Sequence, residues 1–232
     1  DMSHLEVLFV SHKYPPSVGG MEKQSYELIN GVSALTNVHK IVYSKDESII
    51  RFFRKLNKRI LKLLRENPKI SIIHFNDGLI AAFSMSHKGY DHLKKVVTIH
   101  GLDIVFPWRY YQKTIIPRFN SFHHIIAVSQ ATAEAAIKAG IDANKISIIE
   151  NAVDHNILNL YTIPKEQLCL KYPQIDPNKK YFITLGRPVK RKGFSWLMKE
   201  VLPKIKDDFQ VIMVGPFDTK AKITERILQL LP

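Results

Sequence analysis

Three stretches of the chain combine residue types and spacings suited to an anionic, hydroxylated substrate. The densest is Gly186-Arg187-Pro188-Val189-Lys190-Arg191-Lys192-Gly193. Four cations crowd one loop, after an apolar run and just before a helical pattern. Positive charge gathered at a helix N-terminus, where the macrodipole is already positive, is unfavourable unless an anion offsets it. A diphosphate would do so, because arginine grips its oxygens bidentately and lysine supplies a point charge. Without an anion the same residues read as a solvated basic loop. The second stretch is Ser11-His12-Lys13-Tyr14-Pro15-Pro16-Ser17-Val18-Gly19-Gly20. Gly19 and Gly20 let the backbone approach a ligand closely, and the helix that follows offers unpaired N–H groups to an anion. Read blandly, it is a flexible turn. The third is His100-Gly101-Leu102-Asp103, where an imidazole at a strand end can donate to a sugar hydroxyl or move a proton. A histidine hydrogen-bonded for structure alone is the other reading, and His74, also at a strand end, is expected to be one.

Several other chemistries are excluded. The chain has no Gly-x-Gly-x-x-Gly fingerprint for a dinucleotide and no Gly-x-x-x-x-Gly-Lys-Ser/Thr loop of a P-loop ATPase. Cys169 is the only cysteine, so neither an intrachain disulfide nor a cysteine zinc site can form.

The positions of these loops depend on the elements that flank them. Short apolar runs occur at Leu5–Val10, Val38–Tyr43, Ser71–Phe75, Val96–His100, Ile125–Val128, Ile146–Ile149, Tyr181–Leu185 and Val211–Val214. Most are continuous rather than alternating, as in strands of a parallel sheet covered on both faces. Helical patterns lie between them at Met21–Leu35, Ile49–Arg65, Ala131–Lys138 and Phe194–Ile205. Ser129 is placed to cap the helix at Ala131, and Gly140 to stop it. Sustained strand–helix alternation predicts an α/β, doubly wound parallel sheet of Rossmann-like type, whose ligands bind beyond the carboxyl ends of the strands.

Pro164, Pro173 and Pro177 mark a linker. The expected organisation is an amino-terminal domain over residues 1–160, a linker over 161–179, and the start of a second Rossmann-like domain over 180–232, cut short. The alternative is that Tyr181–Pro232 adds two strands to the first sheet.

Composition sets wider bounds. The chain has 232 residues, 45% of them apolar, and a formal net charge of +13. The charge favours anionic partners: nucleic acid, phosphorylated small molecules or an anionic membrane face. No run approaches the roughly 18 apolar residues that cross a bilayer. The first residues, Asp1 to His4, carry no pattern of a secretion signal, so a cytoplasmic protein is expected. Arg51–Arg65 is a basic amphipathic helix pattern. Phe52, Phe53, Leu56, Ile60, Leu63 and Leu64 share one face, and Arg51, Arg54, Lys55, Lys58, Arg59, Lys62 and Arg65 fill most of the rest. The apolar face is expected to pack on the sheet; the cationic face suits an anionic membrane surface, giving a peripheral association.

The joint order and spacing of these segments resembles glycosyltransferase family 4, retaining transferases with the GT-B fold of two facing Rossmann-like domains. The matching stretches are the Gly19-Gly20 loop, Val97–Asp103, Ile126–Ser129, Ile149–Asp154, Gly186–Gly193 and Val211–Gly215. The resemblance implies that Arg187 and Lys192 hold the donor diphosphate, with Gly186 in the same loop. It implies that His100 contacts the donor sugar, Asp103 belonging to that motif, and that Gly19 and Gly20 close over sugar and diphosphate. Asn151 and Asp154 fall in the segment leading to the second domain, where the family usually has glycine at the position of Ala152. The family's Glu-x₇-Glu motif, which grips sugar and ribose, does not occur in these 232 residues, so the chain alone is expected to be inactive.

The implied reaction moves a sugar from a nucleotide-diphosphate donor to a glycan or lipid-linked glycan acceptor, with retention of configuration and no metal or other cofactor. Basic groups at the departing oxygens would contribute most, because they act where charge develops. No pair of carboxylates about 5 Å apart, as in retaining glycosidases, is evident. The acceptor would attack on the leaving-group face, its proton passing to the diphosphate. Three further readings compete. A nucleic-acid binder needs stacking aromatics interleaved with basic residues, and Trp108, Tyr110 and Tyr111 have only Arg109 and Lys113 for company, so no nucleic-acid partner is expected. The others are a catalytically idle protein that kept the GT-B shape and a nucleotide-sugar epimerase of similar fold.

Overall fold

The computed structural model describes residues 5–106, 108–153, 163–186 and 189–215. The chain divides into two compact units, Asp1–Val153 and Asp154–Pro232.

In the first unit, strands and helices alternate from the start: β1 Glu6–Ser11, α1 Gly20–Ser33, β2 Asn37–Val42, α2 Ile49–Glu66, β3 Ile70–Phe75, α3 Gly78–Ser84, β4 Lys94–Ile99, α4 Gly101–Val105, β5 His124–Ala127, α5 Gln130–Lys138 and β6 Ile146–Ile148. A single π turn, Tyr111–Ile115, runs into a 3-10 turn, Ile116–Ser121, before β5. All six strands are parallel, in the order β2-β1-β3-β4-β5-β6. The order reverses between β1 and β3, the switch point where open α/β sheets bind ligands.

Alternation along β1 shows how both faces are covered. Leu8 and Val10 enter a cluster with Phe52, Leu56 and Ile60 of α2. Val7 and Phe9 enter the opposite one with Tyr14 of the following loop and Ile29 of α1. A strand buried on both sides needs apolar residues at successive positions, which explains the continuous run.

All six strands expected for this unit are present, with ends shifted by up to two residues. Ser129 caps α5 by accepting the Thr132 N–H at 3.2 Å, and Gly140, with φ of 99°, ends it. The pattern missed α3 and α4, seven and five residues long. Elements that short show no full amphipathic period.

In the second unit, α6 Lys165–Lys171 lies within the stretch read as a linker. β7 Lys180–Leu185 and β8 Phe209–Val214 pair in parallel as their own two-stranded sheet and are not strands of the first. Between them the expected Phe194–Ile205 helix is broken into α7 Phe194–Trp196, a π turn Leu197–Val201 and a 3-10 turn Leu202–Lys204. Pro203 has no N–H to continue an α-helical ladder there.

Candidate functional site

At the carboxyl edge of the first sheet, β1, β3 and β4 each deliver polar residues into one connected network. After β3, Asp77 caps α3: its Oδ1 accepts the Ile80 N–H at 2.9 Å. Its other oxygen, Oδ2, meets Nδ1 of His12, which follows β1, at 2.8 Å. After β4, Asp103 Oδ2 accepts two backbone N–H groups, from His100 at 2.9 Å and Gly78 at 3.0 Å. A Cβ on Gly78 would stand 2.7 Å from Asp103 Cβ, so only glycine admits this approach. Asn76 closes the network. Its amide donates to Gln24 Oε1 at 2.8 Å and Ser25 Oγ at 2.7 Å on α1.

The electrostatics follow from burial. Desolvation pushes the Asp103 carboxyl above the ordinary carboxylate range; its two N–H bonds and His100 oppose this, and nearby Asp77 adds to it. Burial raises the Tyr111 hydroxyl, and the Asp103 and Asp77 carboxylates raise it further. His74 accords with the structural role expected of it. Its Nε2 meets Thr98 Oγ1 at 2.7 Å, and burial, reinforced by His100, lowers its pKa to about 3.

The site residues read from the sequence fall as follows. His100 is buried at the N-cap of α4, one residue beyond β4, with ring Nε2 donating to the Asn76 carbonyl at 3.0 Å. Its ring edge is turned into the network. Gly19 is the N-cap and Gly20 the first residue of α1. Space beside Gly19 is taken by the Glu22 carboxyl, whose Oε2 lies 2.2 Å from where a Cβ would stand; nothing crowds Gly20. Lys13 Nζ lies 3.9 Å from Glu22 Oε1. The positive end of α1, expected to receive a ligand anion, therefore already faces the chain's own carboxylate. Asn151 is exposed beyond β6, and Asp154 lies outside the described residues.

In the second unit, the basic loop leaves β7 through Gly186, with φ of 123°. The Gly186 N–H donates to Val214 O at 2.8 Å. A Cβ on Gly215, after β8, would meet Gly186 O at 2.2 Å, so the two strand ends touch backbone to backbone. Lys190–Lys192 form a 3-10 turn, and Gly193, with φ of 70°, turns the chain into α7. Lys192 returns over Gly186, its Cε 3.8 Å from the Cβ position. Lys190 and Lys192 are exposed and form no ion pair among the described residues. Arg187 lies outside the described residues.

Helix α2 packs as expected: Phe52, Leu56 and Ile60 are buried, and Phe53, Leu63 and Leu64 pack against the same core. Arg51, Arg54, Lys55, Lys58, Lys62 and Arg65 are exposed. Arg59 differs in being half-buried over the Phe52 ring, where it shares Glu47 with Arg51; Lys62 pairs with Glu66. A recess of about 380 Å³ beside the first turn is lined by Ser48, Ile50, Arg51, Arg54 and Lys55. No helix among the described residues is long and apolar enough to cross a membrane.

Sequence reasoning quoted His12 without giving it a role and passed over Asp77, Asn76 and Glu22. The one local signal was Asp77-Gly78 after a strand, the pattern of a helix N-cap.

The model of Glycosyltransferase Family 4 matches residues 4–157. Comparison with curated proteins found no match. Among solved structures, Anabaena HepE in complex with UDP is similar at 17% identity and a TM-score of 0.71, covering 97% of this chain and 65% of that one. Sucrose-phosphate synthase from Thermosynechococcus elongatus is similar at 14% identity and a TM-score of 0.74, covering 97% and 67%. UDP-N-acetylglucosamine 2-epimerase from Rickettsia bellii is similar at 11% identity and a TM-score of 0.58, covering 99% and 65%. The chain thus spans about two thirds of the length of these structures. A synthase and an epimerase share the fold, so the fold alone does not select a reaction.

Proposed function

The chain belongs to glycosyltransferase family 4, and from that premise we propose that it takes part in moving a sugar from a nucleotide-diphosphate donor to a glycan or lipid-linked glycan acceptor, with retention of configuration and without a metal. The match over residues 4–157 carries this reading, because it favours transfer over the epimerase reaction that the fold also allows. HepE binds UDP and UDP-glucose, which supports a uridine nucleotide sugar as the first donor to try. Lys192 and Arg187 hold the diphosphate in this proposal. The exposed Lys192 ammonium, beside the Gly186 backbone and without an ion pair among the described residues, is chemistry that suits an anion.

His100, Asp103, Gly19 and Gly20 line the donor sugar's side in the same reading, with Asn151 following β6. His100 then acts through shape and its fixed ring more than as a free proton carrier, because its Nε2 is committed to Asn76. The cationic face of α2 supports a cytoplasmic enzyme resting on an anionic membrane and acting in cell-envelope polysaccharide or glycolipid synthesis. These 232 residues lack the Glu-x₇-Glu motif, and by themselves they do not turn over.

The test is a screen of UDP-, GDP-, ADP- and TDP-sugars against the intact protein. Calorimetry reads binding, and release of the nucleoside diphosphate reads turnover. Micromolar to millimolar affinity for one donor is expected. Absence of binding and turnover across the panel would refute the proposal.

A further inference from the structure

Three histidines stand at or next to the carboxyl ends of β1, β3 and β4, and their ring nitrogens are committed differently. His74 Nε2 is bonded to Thr98 inside the sheet. His100 Nε2 is bonded to the Asn76 carbonyl. His12 makes its bond through the other nitrogen: Nδ1 meets Asp77 Oδ2 at 2.8 Å. Its Nε2 has no protein partner among the described residues.

Asp77 is built to hold that ring. Its side chain is fully buried and its Oδ1 is fixed by the Ile80 N–H, so Oδ2 is aimed at a set point. Phe53 of α2 packs against the imidazole, with ring centroids 5.5 Å apart. A carboxylate that accepts the Nδ1 proton sets the tautomer and leaves a lone pair on Nε2. The side chain is 9% exposed, so the ring is clamped while an edge of it still reaches solvent. A purely structural histidine at this place would need neither an aimed carboxylate nor an uncommitted nitrogen.

We propose that His12, oriented by Asp77, is the seat of the acceptor hydroxyl: Nε2 accepts a hydrogen bond from the hydroxyl that is to be glycosylated and fixes the position of its oxygen. This rests on the transferase reading and adds a residue to it. His12 is the group that touches the acceptor, and Asp77 is a positioning residue. Holding a reacting oxygen in place is worth a large rate factor, since a misplacement of about 1 Å can cost about 10²-fold.

The experiment uses the intact protein and the donor found by the screen, with water as the probe acceptor. Water takes the seat when no other acceptor is present, so slow donor hydrolysis reports on it. In His12→Gln, hydrolysis is expected to fall about 10²-fold while calorimetric affinity for the donor stays unchanged. Asp77→Asn, which keeps an oxygen for the Ile80 N–H and hence the fold, is expected to lose turnover in the same way by a smaller factor. Hydrolysis at the wild-type rate in folded His12→Gln overturns the proposal. So does a loss of donor affinity in step with the rate, which would make the pair a prop for the donor site. If His12→Gln fails to fold, Asp77→Asn decides by the same two readouts. A wild type that binds no nucleotide sugar instead brings down the transferase reading, a separate outcome.

Discussion

Asp103 holds His100 by the backbone and not by the ring: Oδ2 accepts the His100 N–H at 2.9 Å, while the imidazole turns away to the Asn76 carbonyl at 3.0 Å. The same oxygen takes the Gly78 N–H. One carboxylate therefore ties the end of β4 to the start of α3.

Removing that tie should unsettle both loops. Asp103→Ala leaves two backbone donors without an acceptor, at about 1–3 kcal/mol for each one left buried. Gly78→Ala forces a Cβ to within 2.7 Å of Asp103 Cβ, an overpacking that typically costs about 1–3 kcal/mol. Urea titration reads both. Wild-type midpoints would show that the network is not strained or emptied by these changes.

Acid should destabilise the fold partly through His74. Burial holds it neutral down to a pKa of about 3 against an ordinary 6.5. Below pH 6.5 the unfolded chain takes up a proton that the folded chain refuses. Stability present above that pH is lost as pH falls, by at most about 1.4 kcal/mol per unit from this group. His87, lowered to about 4 by burial and then by Lys95, acts in the same direction. Denaturation of wild type and His74→Gln at pH 7 and pH 5 checks this; the variant should show the shallower slope.

The two faces of α2 should separate by mutation. Replacing Arg54, Lys55, Lys58 and Lys62 with glutamine should abolish binding to phosphatidylglycerol vesicles, where each cation contributes about 1 kcal/mol. The melting temperature should hold, because these side chains are exposed. Arg59 is left in place because it pairs with Glu47 and covers Phe52. Ile60→Ala should do the reverse, costing about 2–5 kcal/mol of stability. Equal vesicle binding by wild type and the quadruple variant, in flotation at low salt, would leave the cations with no lipid role.

The basic loop should fail in two distinguishable ways. Lys192→Ala, like Arg187→Ala, should cut turnover about 10²–10³-fold with the fold intact. Gly215→Ala should damage the same loop from beneath, because its Cβ would meet Gly186 O at 2.2 Å and part the ends of β7 and β8. Circular dichroism with single-turnover rates tells them apart: Lys192→Ala should keep wild-type melting, and Gly215→Ala should not.

The amino-acid sequence by itself determined eight strands found among the described residues, the faces of α2, the caps at Ser129 and Gly140, and the order of the glycine, histidine and basic loops. Each is written in neighbouring residues: an apolar run for a strand buried on both sides, a helical stripe, an oxygen just before a helix. Only the tertiary structure decided how those loops work. His12 and Asp77 are 65 residues apart in sequence, and Gly78 and Asp103 are 25 apart. They meet because the sheet order places β1, β3 and β4 side by side, which no local pattern encodes. The same distances explain His100. From its neighbours it could equally serve a ligand or be held for structure; in the fold a carbonyl 24 positions earlier has claimed its Nε2. Hydrogen bonds between strand ends depend on register to within about an ångström, and register is settled by the packing of whole strands and helices, beyond the reach of residue type and spacing alone.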